Sequence, residues 1–263
     1  MSAKSGVFVF RTAGPYRLYK KPLKGFLSDI LQFLISRYSG ANIIYQSKWQ
    51  KQSLNFGLFR SPQGAVLSNR PDKMFDSNYR KLVRPKIVGV FTNSENKLKG
   101  LDRVYECAKN TKNNIEFHVF GFDSQTPFHG VDNIKFQSSF PPHKLLTQFK
   151  KIDVALFTSR MESSSNLLAE LKHSGTPVVS FSDTSNAEVL NGYGVLINEP
   201  DEFDTAITEL SNIERSTQDQ IINLSSQKRI SYAAELACLA QLDSNRDQYV
   251  NKLAIFGLLF FIK

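Results

Sequence analysis

The chain has 263 residues, 41% of them hydrophobic and 12% aromatic, which is enough for a packed core and excludes wholesale disorder. Its formal charge of +9 is uneven: residues 1–85 hold 15 Lys and Arg against 3 Asp and Glu, whereas residues 86–263 hold 18 against 21. Two distant cysteines, Cys107 and Cys238, and four scattered histidines show no metal-ligand spacing, which excludes a structural zinc site and fits a reducing compartment.

In chain order, the apolar run Val7 to Phe10 stops at Arg11, too soon for the core of a signal peptide. The segment 22–39 carries Leu23, Phe26, Leu27, Ile30, Leu31 and Leu34 at helical spacing, and Gly40 follows as a stop. This stripe is expected to pack on a sheet, although flanking lysines leave a membrane surface as a second reading. Residues 41–45 read as a short strand, followed by a turn and a second helix from about Trp49 to Phe56. The stretch 61–85 has three prolines and weak periodicity, and reads as a join between two units.

From Lys86 the rhythm changes. Apolar runs at 87–91, 115–120, 154–157, 178–181 and 195–197 alternate with helical patterns at 100–110, 143–151, 165–174, 185–191 and 201–213. That alternation predicts an α/β fold whose parallel sheet is covered on both faces, with ligands at the carboxyl ends of its strands. Residues 216–263 read as helices that cross back to the first unit. The apolar tail from Leu253 to Ile262 is half the length of a membrane span. The expected organisation is therefore 1–85, 86–215 and 216–263, in a cytoplasmic protein for which peripheral membrane contact through the basic first third stays open.

Two loops carry candidate chemistry. In the first, the strand ending at Phe157 runs into Ser159-Arg-Met-Glu162-Ser-Ser-Ser, and a helix begins near Asn166. Ser164 or Ser165 is suited to cap it, leaving the N–H groups of Ser165, Asn166 and Leu167 to face an anion. Glu162 and Glu170 lie too far apart along this segment to share a proton, so they suit two separate hydroxyl-bearing parts of one extended ligand. Serine-rich loops also enter helices where nothing binds, and that reading stays open at this point. The second loop, Ser94-Glu-Asn96-Lys97-Leu-Lys99-Gly100, follows the first strand of the same unit and can bring an ammonium to a diphosphate.

Together these loops resemble glycosyltransferase family 4, the group 1 glycosyltransferases, whose GT-B fold sets two Rossmann-like domains face to face. Glu162 to Glu170 has the family's Glu-x7-Glu spacing, and Gly175-Thr-Pro177-Val-Val stands where its Gly-x-Pro-Val stretch does. Ser94-x-Asn96-x-x-Lys99-Gly100 is similar to the loop of one subgroup. Arg11-Thr12-Ala13-Gly14 and Tyr45-Gln46-Ser47 resemble two upstream motifs of that subgroup, with Ala13 where an Asp is usual. The resemblance runs from about Val7 to Leu210 and implies a complete carboxyl-terminal domain behind a shortened amino-terminal one.

The resemblance implies a retaining transfer of sugar from a nucleotide-sugar to a glycan or lipid-linked acceptor, with no cofactor and no catalytic metal. Lys99 and Glu162 are the implied catalytic residues. Lys99 neutralises the diphosphate, and Glu162 meets hydroxyls of the transferred sugar as a binding group rather than a general base. Glu170 holds the ribose, while Ser94, Asn96, Gly100, Ser164, Ser165, Asn166 and Leu167 complete the donor site. The alternative is a catalytically silent nucleotide-sugar-binding module. A nucleic-acid binder, suggested by Tyr16, Arg17, Tyr19, Lys20 and Lys21, ranks below both because no recognisable nucleic-acid motif accompanies them.

Overall fold

The structure is a computed structural model. It describes residues 9–12, 15, 18, 22–38, 42–55, 60–92, 97–121 and 130–225. Ser94, Asn96, the Ala13–Gly14 pair, and the expected helices and apolar tail beyond residue 225 lie outside the described residues. The chain divides into two compact units, one of residues 1–68 together with 228–263 and the other of residues 69–227.

The first unit holds a parallel three-stranded sheet in the order β1 (Val9–Arg11), β2 (Asn42–Tyr45), β3 (Ala65–Val66). Helix α1 (Pro22–Tyr38) joins β1 to β2, and the short α2 (Lys48–Ser53) follows β2. Ser47 caps α2 by accepting the Gln50 N–H at 3.0 Å. Gln46 and Gln50 both donate side-chain amide hydrogens to the Thr12 carbonyl, at 2.9 and 3.0 Å. The two upstream motifs, 34 to 38 residues apart, are thereby held against each other.

Helix α1 does not pack as its periodicity suggested. It buries Gly25, Asp29 and Gln32, while Leu23, Phe26, Leu27, Leu31 and Leu34 are exposed. An apolar stripe is a necessary feature of a packed helix but does not say that the stripe faces inward.

The second unit carries a six-stranded sheet, parallel throughout, in the order β6-β5-β4-β7-β8-β9. Its strands are β4 (Ile87–Phe91), β5 (Glu116–Phe120), β6 (Ile134–Gln137), β7 (Val154–Phe157), β8 (Val178–Phe181) and β9 (Val195–Ile197). Counted from β4, this is the 3-2-1-4-5-6 order of a doubly wound Rossmann-like sheet, whose direction of growth reverses between β4 and β7. Five of the six strands stand where the apolar runs placed them. The exception is β6, Ile-Lys-Phe-Gln, whose polar residues and half-exposed positions disguise it.

Side chains alternate between the two faces as the strand period of two requires. Val88, Val90, Val154 and Leu156 join one core cluster with Val104 and Cys107 of α3 (Leu101–Asn110) and with Phe203 and Leu210 of α7 (Phe203–Asn212). Ala155, Phe157 and Val178 face the other way, into Phe149 of α4 (Leu145–Phe149), Leu168 and Leu171 of α5 (Asn166–His173), and Leu190 of α6 (Asn186–Leu190). Cys107 is fully enclosed, and burial pushes its thiol up to about 12, far from reactivity.

The segment beginning at Asn69 straps onto this unit. Phe75, Tyr79 and Leu82 are buried, and the Ser77 and Arg80 N–H groups donate to the carbonyls of His173 and Gly175. The Arg80 guanidinium, largely desolvated, donates to the carbonyls of Phe149 and Ile152 and to Thr176 Oγ1. Phe75 sits on a short 3-10 turn and Tyr79 and Leu82 on irregular chain, with Pro71 and Pro85 at either side, so no regular element forms and the sequence reads there as a mere join.

Candidate functional site

The loops after β4 and β7 emerge side by side at the switch point, because those two strands are direct neighbours. They are stapled together. The short 3-10 turn Lys97–Lys99 has three carbonyls, and all three accept hydrogen bonds from the β7 loop. Arg160 donates its N–H to Leu98 O at 2.7 Å and its guanidinium to Lys97 O at 3.0 Å, while Thr158 Oγ1 donates to Lys99 O at 2.8 Å. The Arg160 guanidinium also pairs bidentately with Asp102 at 2.7 and 2.6 Å, which holds that carboxyl below its usual range.

Gly100 makes this close approach feasible. It takes φ +67°, and a Cβ there would lie 2.2 Å from Thr158 O. The Lys-Gly pair is thus one device, with the glycine letting the turn lie on the β7 loop and the lysine projecting from it.

Lys99 and Glu162 come together: Lys99 Nζ lies 2.8 Å from Glu162 Oε1. Ser159 Oγ donates to the same oxygen at 2.8 Å. The backbone of Glu162 is gripped from the β8 loop, its N–H donating to Thr184 Oγ1 at 3.2 Å and its carbonyl accepting from Ser185 Oγ at 2.9 Å. Thr184 adopts φ +51°, a left-handed conformation that costs a β-branched residue on the order of 1–2 kcal/mol. Beside it Arg103 pairs with Asp183, and its guanidinium carbon lies 4.1 Å from the centre of the Phe181 ring.

Ser165 is the cap of α5, accepting the Leu168 N–H at 3.2 Å. Among the described residues no acceptor takes the backbone N–H of Asn166 or Leu167. Ser164 has a structural partner: its carbonyl accepts from the Asn69 amide at 2.7 Å, and its hydroxyl accepts the Asn69 N–H at 3.3 Å. Lys99 and Leu167 line a common cleft of about 300 Å³, with Phe91, Thr92, Phe120, Gly121 and Phe140 on its other walls. Stacked Phe91 and Phe120, 4.9 Å apart, give the cleft an apolar, aromatic side.

Glu170 stands apart from this group. It lies half-buried on the second turn of α5, and its carboxylate has no hydrogen-bond or ion-pair partner among the described residues. Burial alone pushes its pKa up to about 7. A half-buried carboxyl with no donor among the described residues has its acceptor capacity open.

Sequence reasoning missed Thr158, Arg160, Thr184, Ser185 and Arg103, which build the site without facing a ligand themselves. Only Arg160 and Asp102 carried a signal, as oppositely charged residues in two loops bound for the same sheet edge.

Residues 85–212 match the family described as glycosyl transferases group 1. Among solved structures, the fold is similar to that of S. aureus TarM in complex with fondaparinux, alpha-GlcNAc-glycerol and UDP, with TM-score 0.60 and 17% identity over 80% of this chain and 46% of that one. It is also similar to Anabaena Alr3699/HepE in complex with UDP and glucose, with TM-score 0.68 and 15% identity over 88% of this chain and 70% of that one. The sucrose-phosphate synthase of Thermosynechococcus elongatus follows at TM-score 0.62 and 11% identity, over 88% of this chain and 67% of that one. The chain therefore spans about half the length of TarM and about two thirds of the other two. No curated protein matches it in sequence.

Proposed function

We propose, from the match of residues 85–212 to the group 1 glycosyltransferases, that the chain transfers a sugar from a nucleotide-sugar donor to a glycan or lipid-linked acceptor with retention at the anomeric carbon. The observation that carries this reading is the Lys99–Glu162 pair at the switch point, beside the amino terminus of α5 and over an aromatic cleft.

A donor diphosphate entering there competes for the Lys99 ammonium. As Lys99 turns to the phosphate oxygens, the free N–H groups of Asn166 and Leu167 take the remaining charge. Glu162, released from Lys99 but still oriented by Ser159, Thr184 and Ser185, then accepts hydroxyls of the transferred sugar. Glu170 accepts the ribose hydroxyls, and for that it must be ionised. The cleft beside Phe91 and Phe120 suits the flat base. As the glycosidic bond breaks, negative charge grows on the departing nucleoside diphosphate, and Lys99 with the helix terminus stabilises it more than the ground state. These groups supply the positive charge, so the reaction proposed here uses no metal or other cofactor. Ser94 and Asn96 are assigned to the donor side by resemblance. The setting proposed is the cytoplasm, at or near the surface that presents the acceptor.

A second reading is a silent nucleotide-sugar-binding module, in which the cleft beside Lys99 holds a donor without turning it over. Release of nucleoside diphosphate from UDP-, GDP- and ADP-sugars, with and without added acceptor glycans, separates the two. The transferase reading expects turnover that Lys99→Ala lowers at least a hundredfold, in the range of a lost oxyanion donor. Binding of a donor with no turnover in any mixture favours the silent module.

A further inference from the structure

The outward face of α1 is the least expected surface of the molecule. Leu23, Leu27, Leu31, Leu34 and Tyr38 are between 42% and 71% exposed. At ~100° per residue they fall within an arc of ~80°, so they form one continuous apolar stripe. Lys24 and Arg37, both exposed, border the stripe on its two sides. The helix reverses the usual arrangement, with its one carboxylate, Asp29, on the buried face and its leucines outside.

We propose that α1 is a docking helix for an anionic lipid surface. A stripe of leucines with a terminal tyrosine, edged by cations, has the composition of a helix that lies in the plane of a membrane interface. Charge argues for lipid over another protein chain. Residues 1–68 hold ten Lys and Arg and a single acidic residue, Asp29, fully buried; residues 228–263 of the same unit add five Lys and Arg against three acidic residues, so the unit stays strongly basic. The segment 1–68 therefore presents a surface with no carboxylate side chain, which anionic headgroups attract and a second copy of the same segment repels. Among the described residues no helix is long and apolar enough to cross a membrane, so the contact is peripheral. The inference stands apart from the transferase reading, since it uses none of the donor-site residues.

The experiment is co-sedimentation of the whole chain with vesicles of phosphatidylcholine alone and of phosphatidylcholine mixed with phosphatidylglycerol, without any nucleotide. The proposal expects binding to the mixed vesicles that weakens as salt is raised. It expects a loss of about tenfold or more in both the L27Q/L31Q and K24E/R37E double variants. Both should keep the parent melting temperature, because the altered side chains are exposed; the single L31Q variant provides a milder check on folding. No binding to mixed vesicles, or equal binding by parent and variants, overturns the proposal. So does a concentration-dependent dimer that L27Q/L31Q abolishes, because it assigns the stripe to a second copy. Donor binding is read separately, so failure here is distinguishable from failure of the transferase reading.

Discussion

Helices α1 and α3 are both amphipathic and both follow the first strand of a parallel sheet, yet they are turned in opposite directions. In α3, Leu101, Val104, Cys107 and Ala108 face the core, and Asp102, Lys109 and Asn110 face water. In α1, Gly25, Asp29 and Gln32 are inside and the leucines are out. Periodicity establishes that a helix has an apolar side; whether that side is buried depends on what surrounds it. The second unit supplies α3 with a six-stranded sheet and the flank of α7, whereas the described residues of the first unit hold three short strands. Burial of a full leucine face needs more apolar surface than such a sheet offers, and the exposed stripe becomes available for an external partner.

The comparison can be broken most forcefully by placing a charge on the inward face of α3. Val104→Asp, at a position with no exposure, should cost more than about 4 kcal/mol and abolish the cooperative melting transition. Gly100→Ala, just before α3, combines a left-handed backbone with a Cβ against Thr158 O. About 3 kcal/mol should be lost, together with donor binding, as measured by denaturant unfolding and calorimetry.

A smaller effect comes from Glu170. Its folded pKa is raised to about 7, so the stability it contributes is fully present below the ordinary carboxylate value and is lost as pH rises from there through about 7. Glu170→Gln should therefore melt higher than the parent above pH 7, by roughly 1 kcal/mol after allowing for partial solvation, and match it at the acid end. At the bottom of the scale, Leu31→Gln in α1 should change stability by less than about 0.5 kcal/mol. A large loss there would mean that the face is buried and that the contrast with α3 is false.

Much of the second unit was legible because its strands are apolar runs buried on both faces, and loop and helix signals alternate with them. Five strands, the α5 cap at Ser165 and the proximity of Lys99 to Glu162 were all within reach of pattern and resemblance. Strand β6 was not, since an edge strand with Lys135 and Gln137 carries no continuous apolar run. The strap through Phe75 and Tyr79 escaped because irregular chain between prolines forms no element, and its anchoring comes from tertiary neighbours. The grip of Thr184 and Ser185 on Glu162 depends on tertiary neighbours that no local signal records. Orientation of α1 was missed for the same reason: the answer lay in the size of its sheet, not in its own residues.

The central claim is a nucleotide-sugar donor site at the switch point of the second unit. Thermal shift of the chain with UDP, GDP, ADP and their common sugar conjugates, alongside Glu170→Ala, tests it most directly. The account predicts that one nucleotide and its sugar conjugate, at a hundred times their dissociation constant, stabilise the parent by about 2.7 kcal/mol and leave the variant unmoved. No shift with any of them on a cooperatively folded protein, or an equal shift in the Glu170→Ala variant, would contradict it.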